Sequence, residues 1–207
     1  MMNLPIKHQL ILLLIAAFSF PACGQQVEET SEEICNWCGT SEAPEEVSWQ
    51  TVLADESETG ERIRIRGTLY HSDGKTPAEG VILYVYHTNS KGIYEVRGDE
   101  TGTGTIHGHF RGWMKTDKEG KYQFESIRPG HYPTHDTEPA HIHYVLEGIG
   151  LEEHWVANVW FADDPRVNEE QLARLQRVGG HSNVVELKMT EDGVMEGVRN
   201  IILQKYE

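Results

Sequence analysis

The sequence predicts an all-β protein: a β-sandwich of mostly antiparallel strands with one short helix after the core. Three observations carry the prediction. Short β-branched and aromatic runs recur at close spacing, clusters of Gly and Asp separate them, and Arg62-Ile63-Arg64-Ile65-Arg66 alternates strictly, as a strand with one wet and one buried face does. The 20 Gly against 8 Pro fit a chain of many turns, and 207 residues allow one large domain with a tail. With 33 acidic against 18 basic side chains the net charge is −15, which excludes a basic nucleic-acid binder; 38% hydrophobic residues exclude a disordered polyelectrolyte. Eleven His in so acidic a chain stand out, because imidazole and carboxylate are the raw material of metal and acid–base sites.

The N-terminus reads as a targeting segment. Lys7 precedes the apolar run Leu10 to Phe18, a signal-type stretch too short to span a bilayer. Phe18-Ser19-Phe20-Pro21-Ala22-Cys23-Gly24 resembles a bacterial lipoprotein processing site, with a small residue before the Cys and Gly after it. Cys23 then becomes the lipidated first residue; ordinary signal cleavage nearby is the other outcome. The implied organisation is a lipoprotein-type signal peptide over 1–22, a polar acidic tether over 23–48 and a β-sandwich domain over 49–207. Such a protein is exported in a bacterium and faces the periplasm or cell surface, attached to the membrane only through Cys23. The tether carries Cys35-Asn36-Trp37-Cys38. A redox motif needs a strand-to-helix turn and zinc needs a second ligand pair; with neither in view, a local disulfide of the exported compartment is the preferred reading.

Within the domain, Arg62 to Arg66 is the first clear strand, and His71 to Lys75 forms a turn. Val81 to Tyr86 is a second strand, long enough for a sandwich core. A Gly/Thr-rich loop occupies Gly98 to Gly108. Strands follow at Phe110 to Thr116, Lys121 to Ile127, His141 to Glu147, Trp155 to Phe161, Val184 to Met189 and Val194 to Leu203, with turns at Asp117 to Gly120 and Glu191 to Gly193. The helix is expected after Asp163-Asp164, with Pro165 in its first turn, Leu172, Leu175 and Val178 on one face, and Gly179-Gly180 at its end.

The chemistry gathers in Pro129-Gly130-His131-Tyr132-Pro133 and Pro139-Ala140-His141-Ile142-His143-Tyr144. Residues i and i+2 of a strand share a face, so His141 and His143 can aim two imidazoles at one point while Ile142 faces the opposite layer. Two polar residues on a wet strand face look the same, so the company they keep matters. Tyr132 lies nine residues before His141, pinned between Gly130 and Pro133, and Tyr94 follows the turn Asn89-Ser90-Lys91-Gly92.

At this point the chain resembles the intradiol ring-cleavage dioxygenases, whose best-known members cleave catechol and protocatechuate. The resemblance runs from about Gly67 to Asp164 through Gly67-Thr68-Leu69-Tyr70, Pro77 to Tyr86, Gly92-Ile93-Tyr94, Arg111-Gly112, Thr116-Asp117, Gly120-Lys121-Tyr122, Ile127 to Pro133 and Pro139 to His143. It implies one non-haem Fe(III) ion held by Tyr94, Tyr132, His141 and His143, with a small aromatic diol and O2 as substrates and a muconate-type diacid as product. Tyr132 is the ligand expected to leave the metal and act as a base. Hard phenolate oxygens suit a trivalent cation and imidazole accepts iron, which agrees with the carry-over.

Departures from the family pattern are specific. The family places Arg immediately before Pro-Ala-His-Ile-His, and here that residue is Glu138. Arg111 and Arg128 are the candidate replacement cations, Arg111 being expected among the catalytic residues. Asn158 stands for the family's supporting Gln on the following strand. The loop from Tyr132 to His141 is short, which predicts an open site. The rival reading is a non-enzymatic β-sandwich module of the transthyretin or carboxypeptidase-regulatory kind on a lipid tether, which shares the turn motifs but has no reason to hold the four-ligand set. His107, His109, His131 and His135 read as solvated loop residues, and His181, Trp113, Trp155 and Trp160 as turn and core.

Overall fold

A computed structural model of the chain describes residues 39–135, 137–169 and 183–203. The described residues all belong to one compact unit, Ile34–Glu207. The signal segment, Cys23, Cys35, Cys38, His181 and the expected helical face of Leu172, Leu175 and Val178 lie outside the described residues.

The strands are β1 (Gln50–Val52), β2 (Arg62–Tyr70), β3 (Ile82–His87), β4 (Arg111–Lys115), β5 (Lys121–Ile127), β6 (His141–Gly148), β7 (Leu151–Phe161), β8 (Val184–Val185), β9 (Lys188–Met189), β10 (Met195–Val198) and β11 (Ile201–Ile202). They form two sheets. The first runs β1-β5-β2-β10-β9, with β11 also on β2, and the second runs β4-β3-β6-β7-β8. The long pairings β2–β5, β3–β4, β3–β6 and β6–β7 are antiparallel. The short additions β1, β8, β10 and β11 join in parallel. The protein is therefore the all-β sandwich that the alternating runs predict.

Period two explains the core. Ile63, Ile65 and Leu69 of β2, Tyr122 and Phe124 of β5, Leu83 and Val85 of β3, Met114 of β4, and Ile142, Tyr144 and Leu146 of β6 all meet between the sheets. Each such side chain contributes roughly 1.5–3 kcal/mol by leaving water. The opposite face of the second sheet is covered too: Tyr84, Tyr86 and Val145 form a second cluster with Tyr94 and Trp113 against them. His141 and His143 alternate with Ile142 and so belong to this outer, loop-covered face.

Several expected boundaries move. The single strand expected over Val184 to Met189 is two, because β8 pairs with β7 and β9 with β10, so the chain passes from one sheet to the other between them. The run from Val194 to Leu203 is likewise broken at Arg199-Asn200, where Arg199 is buried and its carbonyl accepts the Tyr122 hydroxyl at 2.9 Å. The domain begins before Trp49. Residues Thr40–Glu42 form a 3-10 turn, Thr40 is buried, its amide donates to Glu153 at 2.6 Å, and Trp113 Nε1 donates to the Gly39 carbonyl at 2.6 Å. A helix not foreseen, α1 (Gly104–His107), makes one turn inside the Gly/Thr-rich loop. Trp160 is in the core as expected, but Trp155 is 56% exposed on its strand.

Candidate metal centre

Four side chains from three segments converge on the outer face of the second sheet. His141 and His143 come from the start of β6, where His143 sits opposite Tyr86 of β3. Tyr94 follows the turn at Asn89, and Tyr132 lies in the coil before β6. The Tyr94 and Tyr132 hydroxyls are 2.5 Å apart. Tyr132 Oη lies 3.1 Å from His141 Nε2 and 3.2 Å from His143 Nε2, and the two Nε2 atoms are 3.0 Å apart.

Backbone organises the two tyrosine loops. The Asn89 side chain accepts the amides of Lys91 and Ile93, and its carbonyl accepts those of Gly92 and Gly130. Asn89 thus ties the Tyr94 loop to the Tyr132 loop. The contact requires glycine: Gly92 has φ +78°, and a Cβ there would lie 1.7 Å from the His131 carbonyl oxygen.

The imidazoles are held by their far sides. His141 Nδ1 donates to the Pro139 carbonyl at 2.7 Å, which leaves the lone pair on Nε2 facing the cluster. Asn158 hydrogen-bonds the His143 ring, and its position follows from a β-bulge: β6 and β7 pair at Ile142–Val159 and Tyr144–Val156, so Ala157 and Asn158 together oppose His143. Asn158 therefore bonds a member of the cluster and lies outside the cluster itself.

Burial lowers the proton affinity of both imidazoles, most strongly at His143, where the His141 and His107 rings add to the effect. Burial also pushes both tyrosine hydroxyls upward, with the Tyr132 charge adding at Tyr94 and the Glu138 carboxylate at Tyr132. The two Nε2 atoms lie 3.0 Å apart with the Tyr132 hydroxyl against both, so a cation bound among them would meet four donors and would invert the tyrosine preference toward phenolate. No group of three or more His, Cys, Asp or Glu suited to a metal occurs among the described residues. The donor set is complete only when the phenols are counted, and hard oxygen with imidazole nitrogen fits a ferric ion.

The remaining expected residues fall elsewhere. The Arg111 guanidinium binds Glu42 at 3.0 Å and the Thr103 hydroxyl at 3.1 Å, with Trp113 beneath it. Its partners are the 3-10 turn and the α1 loop, and none of its hydrogen bonds runs to the four donors. Arg128 is bidentate on Asp163 at 2.8 and 2.6 Å, over the Phe161 ring. Neither cation replaces the one missing at position 138. Arg166 Nη1 donates to the Glu138 carbonyl at 3.4 Å.

Three loop histidines expected in solvent are buried or anchored. His107 is 3% exposed, shares a hydrogen bond of 2.9 Å with the Tyr84 hydroxyl and stacks on Tyr86, which stacks in turn on His143. Burial pulls its pKa down to about 4. His109 bridges the Glu95 carbonyl and the Glu58 carboxylate. His131 reaches Asp164, and His135 stands edge-on to Tyr132. Tyr86 is the contributor that sequence reasoning missed; its alternation with Leu83 and Val85 was the available signal, since it marks the face opposite the core.

A β-sandwich with two phenols and two imidazoles gathered on one outer sheet face defines a class of oxygen- and nitrogen-rich sites suited to a hard trivalent cation. The family model described as Dioxygenase matches residues 40–204, and the chain belongs to the intradiol ring-cleavage dioxygenase family. It is 33% identical over 112 residues to the protocatechuate 3,4-dioxygenase beta chain of Burkholderia cepacia, covering 51% of this chain and 47% of the relative. It is 28% identical over 151 residues to the hydroxyquinol 1,2-dioxygenase of Rhizobium sp. (strain MTP-10005), covering 62% and 50%. These curated relatives are thus matched over about half their length or less, as with the catechol 1,2-dioxygenase of Candida albicans, 29% identical over 123 residues, at 52% of this chain and 39% of that one. Catechol 1,2-dioxygenase from Acinetobacter sp. ADP1 superposes with a TM-score of 0.60 at 24% identity, covering 79% of this chain and 59% of that one, which shows the shared fold.

Proposed function

We propose that the protein is a non-haem Fe(III) intradiol dioxygenase. It takes a small catechol-type aromatic diol and O2, breaks the bond between the two hydroxylated carbons and gives a muconate-type diacid that keeps both oxygen atoms. The convergence of Tyr132 Oη, 2.5 Å from the Tyr94 hydroxyl and 3.1–3.2 Å from the Nε2 atoms of His141 and His143, carries the reading. The family, and relatives named for catechol, hydroxyquinol and protocatechuate, support the reaction class.

Bound ferric iron supplies Lewis acidity and charge transfer, which activate a coordinated diol toward O2. The residues do the rest. Tyr94 and Tyr132 as phenolates provide the negative charge that holds a trivalent ion. Tyr132, as a phenolate at the centre of the cluster, is the residue that would take a substrate proton at its phenolate oxygen. His141 and His143, on a paired strand and each held from behind, stay fixed. The Glu138 charge beside Tyr132 and His141 favours an uncharged or cationic catechol over a carboxylated one.

Protein purified in air is expected to carry about one ferric ion per chain, with a broad visible phenolate band and oxygen uptake on a catechol panel. Bound zinc, with no colour after ferric reconstitution, refutes the reading. We propose also that the chain is exported and anchored through Cys23, with no partner of nucleic acid. A Cys23→Ser chain is then exported but leaves the membrane fraction; retention in the membrane refutes the anchor.

A further inference from the structure

We propose that Asp164 is the positioning residue that sets the separation of Tyr132 and His141, and with it the iron affinity and visible band of the centre. The inference rests on the ferric reading above. The described residues between Tyr132 and His141 form turns and coil without a helix or strand, so no regular element fixes the angle between their donor atoms. Asp164 does. One carboxylate oxygen, Oδ2, accepts His131 Nε2 at 2.8 Å and the Ala140 amide at 2.9 Å. His131 precedes Tyr132 and Ala140 precedes His141, so one atom holds the residue next to each ligand. The other oxygen accepts the Arg166 amide at 2.9 Å, which locks the carboxylate in orientation.

The group is built into the protein. Asp164 is 4% exposed, and its own backbone closes the turn after β7: its amide donates to the Phe161 carbonyl, and its carbonyl accepts the Val167 amide. A buried carboxylate demands partners, so the two ligand segments cannot drift from it without leaving that oxygen unsatisfied. A turn-forming role alone accounts for the bond to the Arg166 amide but for neither of the other two.

The test compares wild type, Asp164→Ala, Asp164→Asn and His131→Ala. The readouts are ferric affinity by chelator competition, the visible band, and the thermal midpoint of the iron-free protein. Asp164→Ala is expected to lose tenfold to a hundredfold in iron affinity and to shift the band. His131→Ala, which frees only the Tyr132 side, should fall between it and wild type. Asp164→Asn keeps a carbonyl oxygen for both donors and should remain within a few-fold of wild type. If Asp164→Ala lowers only the iron-free midpoint, the residue is merely a turn former and the proposal is overturned. Unchanged affinity and band in His131→Ala overturn it as well, even if Asp164→Ala does not fold. A wild-type protein that takes no ferric ion overturns the metal centre itself, whereas an iron-loaded wild type with indifferent variants overturns only the positioning role.

Discussion

His141 and His143 resemble any two polar residues on a strand until the atoms behind them are considered. The Pro139 carbonyl fixes the tautomer of one ring and Asn158 bonds the other, so both present Nε2 to a single point. The residue that sets the chemistry apart is Glu138. Its carboxylate raises the proton affinity of both Tyr132 and His141, and Arg166 donates to its backbone carbonyl. An anionic substrate group meets repulsion there. Glu138→Arg is therefore expected to shift selectivity toward carboxylated catechols. One suitably placed charge is worth up to about 2.7–4 kcal/mol in a transition state, so the kcat/KM ratio of protocatechuate to catechol should rise at least ~10-fold in partly solvated surroundings. Oxygen uptake with both substrates measures it; an unchanged ratio means that the carboxylate does not face the substrate.

At the scale of elements, the site is a junction between two loops and a strand, and the loops meet backbone to backbone. Gly92→Ala places a methyl against the His131 carbonyl at a φ of +78°, so the Tyr94 and Tyr132 loops must separate. Gly98 has φ +97° with nothing within 4 Å of a new Cβ, so Gly98→Ala carries backbone strain alone, about 1 kcal/mol. The prediction is that Gly92→Ala loses most of its iron and colour, and Gly98→Ala keeps them; equal iron content would show that the junction does not govern the centre. These elements also show what a sequence discloses. The period-two pattern put Ile142 in the core and the flanking histidines on the other face, because the alternation is local. The tyrosines became legible only through resemblance, since one tyrosine in a loop looks like another. The Arg111–Glu42 pair was not legible because Glu42 lies 69 residues away in a stretch read as tether. The bulge that aims Asn158 depends on register with a neighbouring strand, and the passage from β8 to β9 depends on which sheet each residue joins. Both are decided by tertiary pairing and leave no local signature.

For the whole molecule, sandwich stability and the site share a dependence on neutral imidazole. His87 is fully buried at the end of β3, with Nδ1 2.7 Å from the Thr88 carbonyl and Nε2 2.7 Å from the Ser126 hydroxyl. Burial pulls its pKa from 6.5 down to about 4. The sign follows from linkage: below pH 6.5 the unfolded chain binds a proton that the folded one refuses, so stability falls as the pH falls. The loss approaches about 1.4 kcal/mol per pH unit between these values and amounts to roughly 3 kcal/mol by pH 4. His107, also pulled to about 4, acts in the same direction. Asp73 and Asp192, held near 2 by hydrogen bonds from Thr76 and Thr190 respectively, and the lowered Glu42 and Glu100 begin to act only as the pH falls into the ordinary carboxylate range, so the upper part of the window, from pH 6.5 to about 5, belongs to the histidines. Urea unfolding of iron-free protein at pH 7, 6 and 5 tests this without the acid release of metal. Wild type should lose about 1 kcal/mol more than His87→Asn between pH 6 and 5, even though the variant starts less stable. Parallel pH slopes would mean that His87 takes up a proton inside the fold, and that the acid sensitivity of the sandwich has another source.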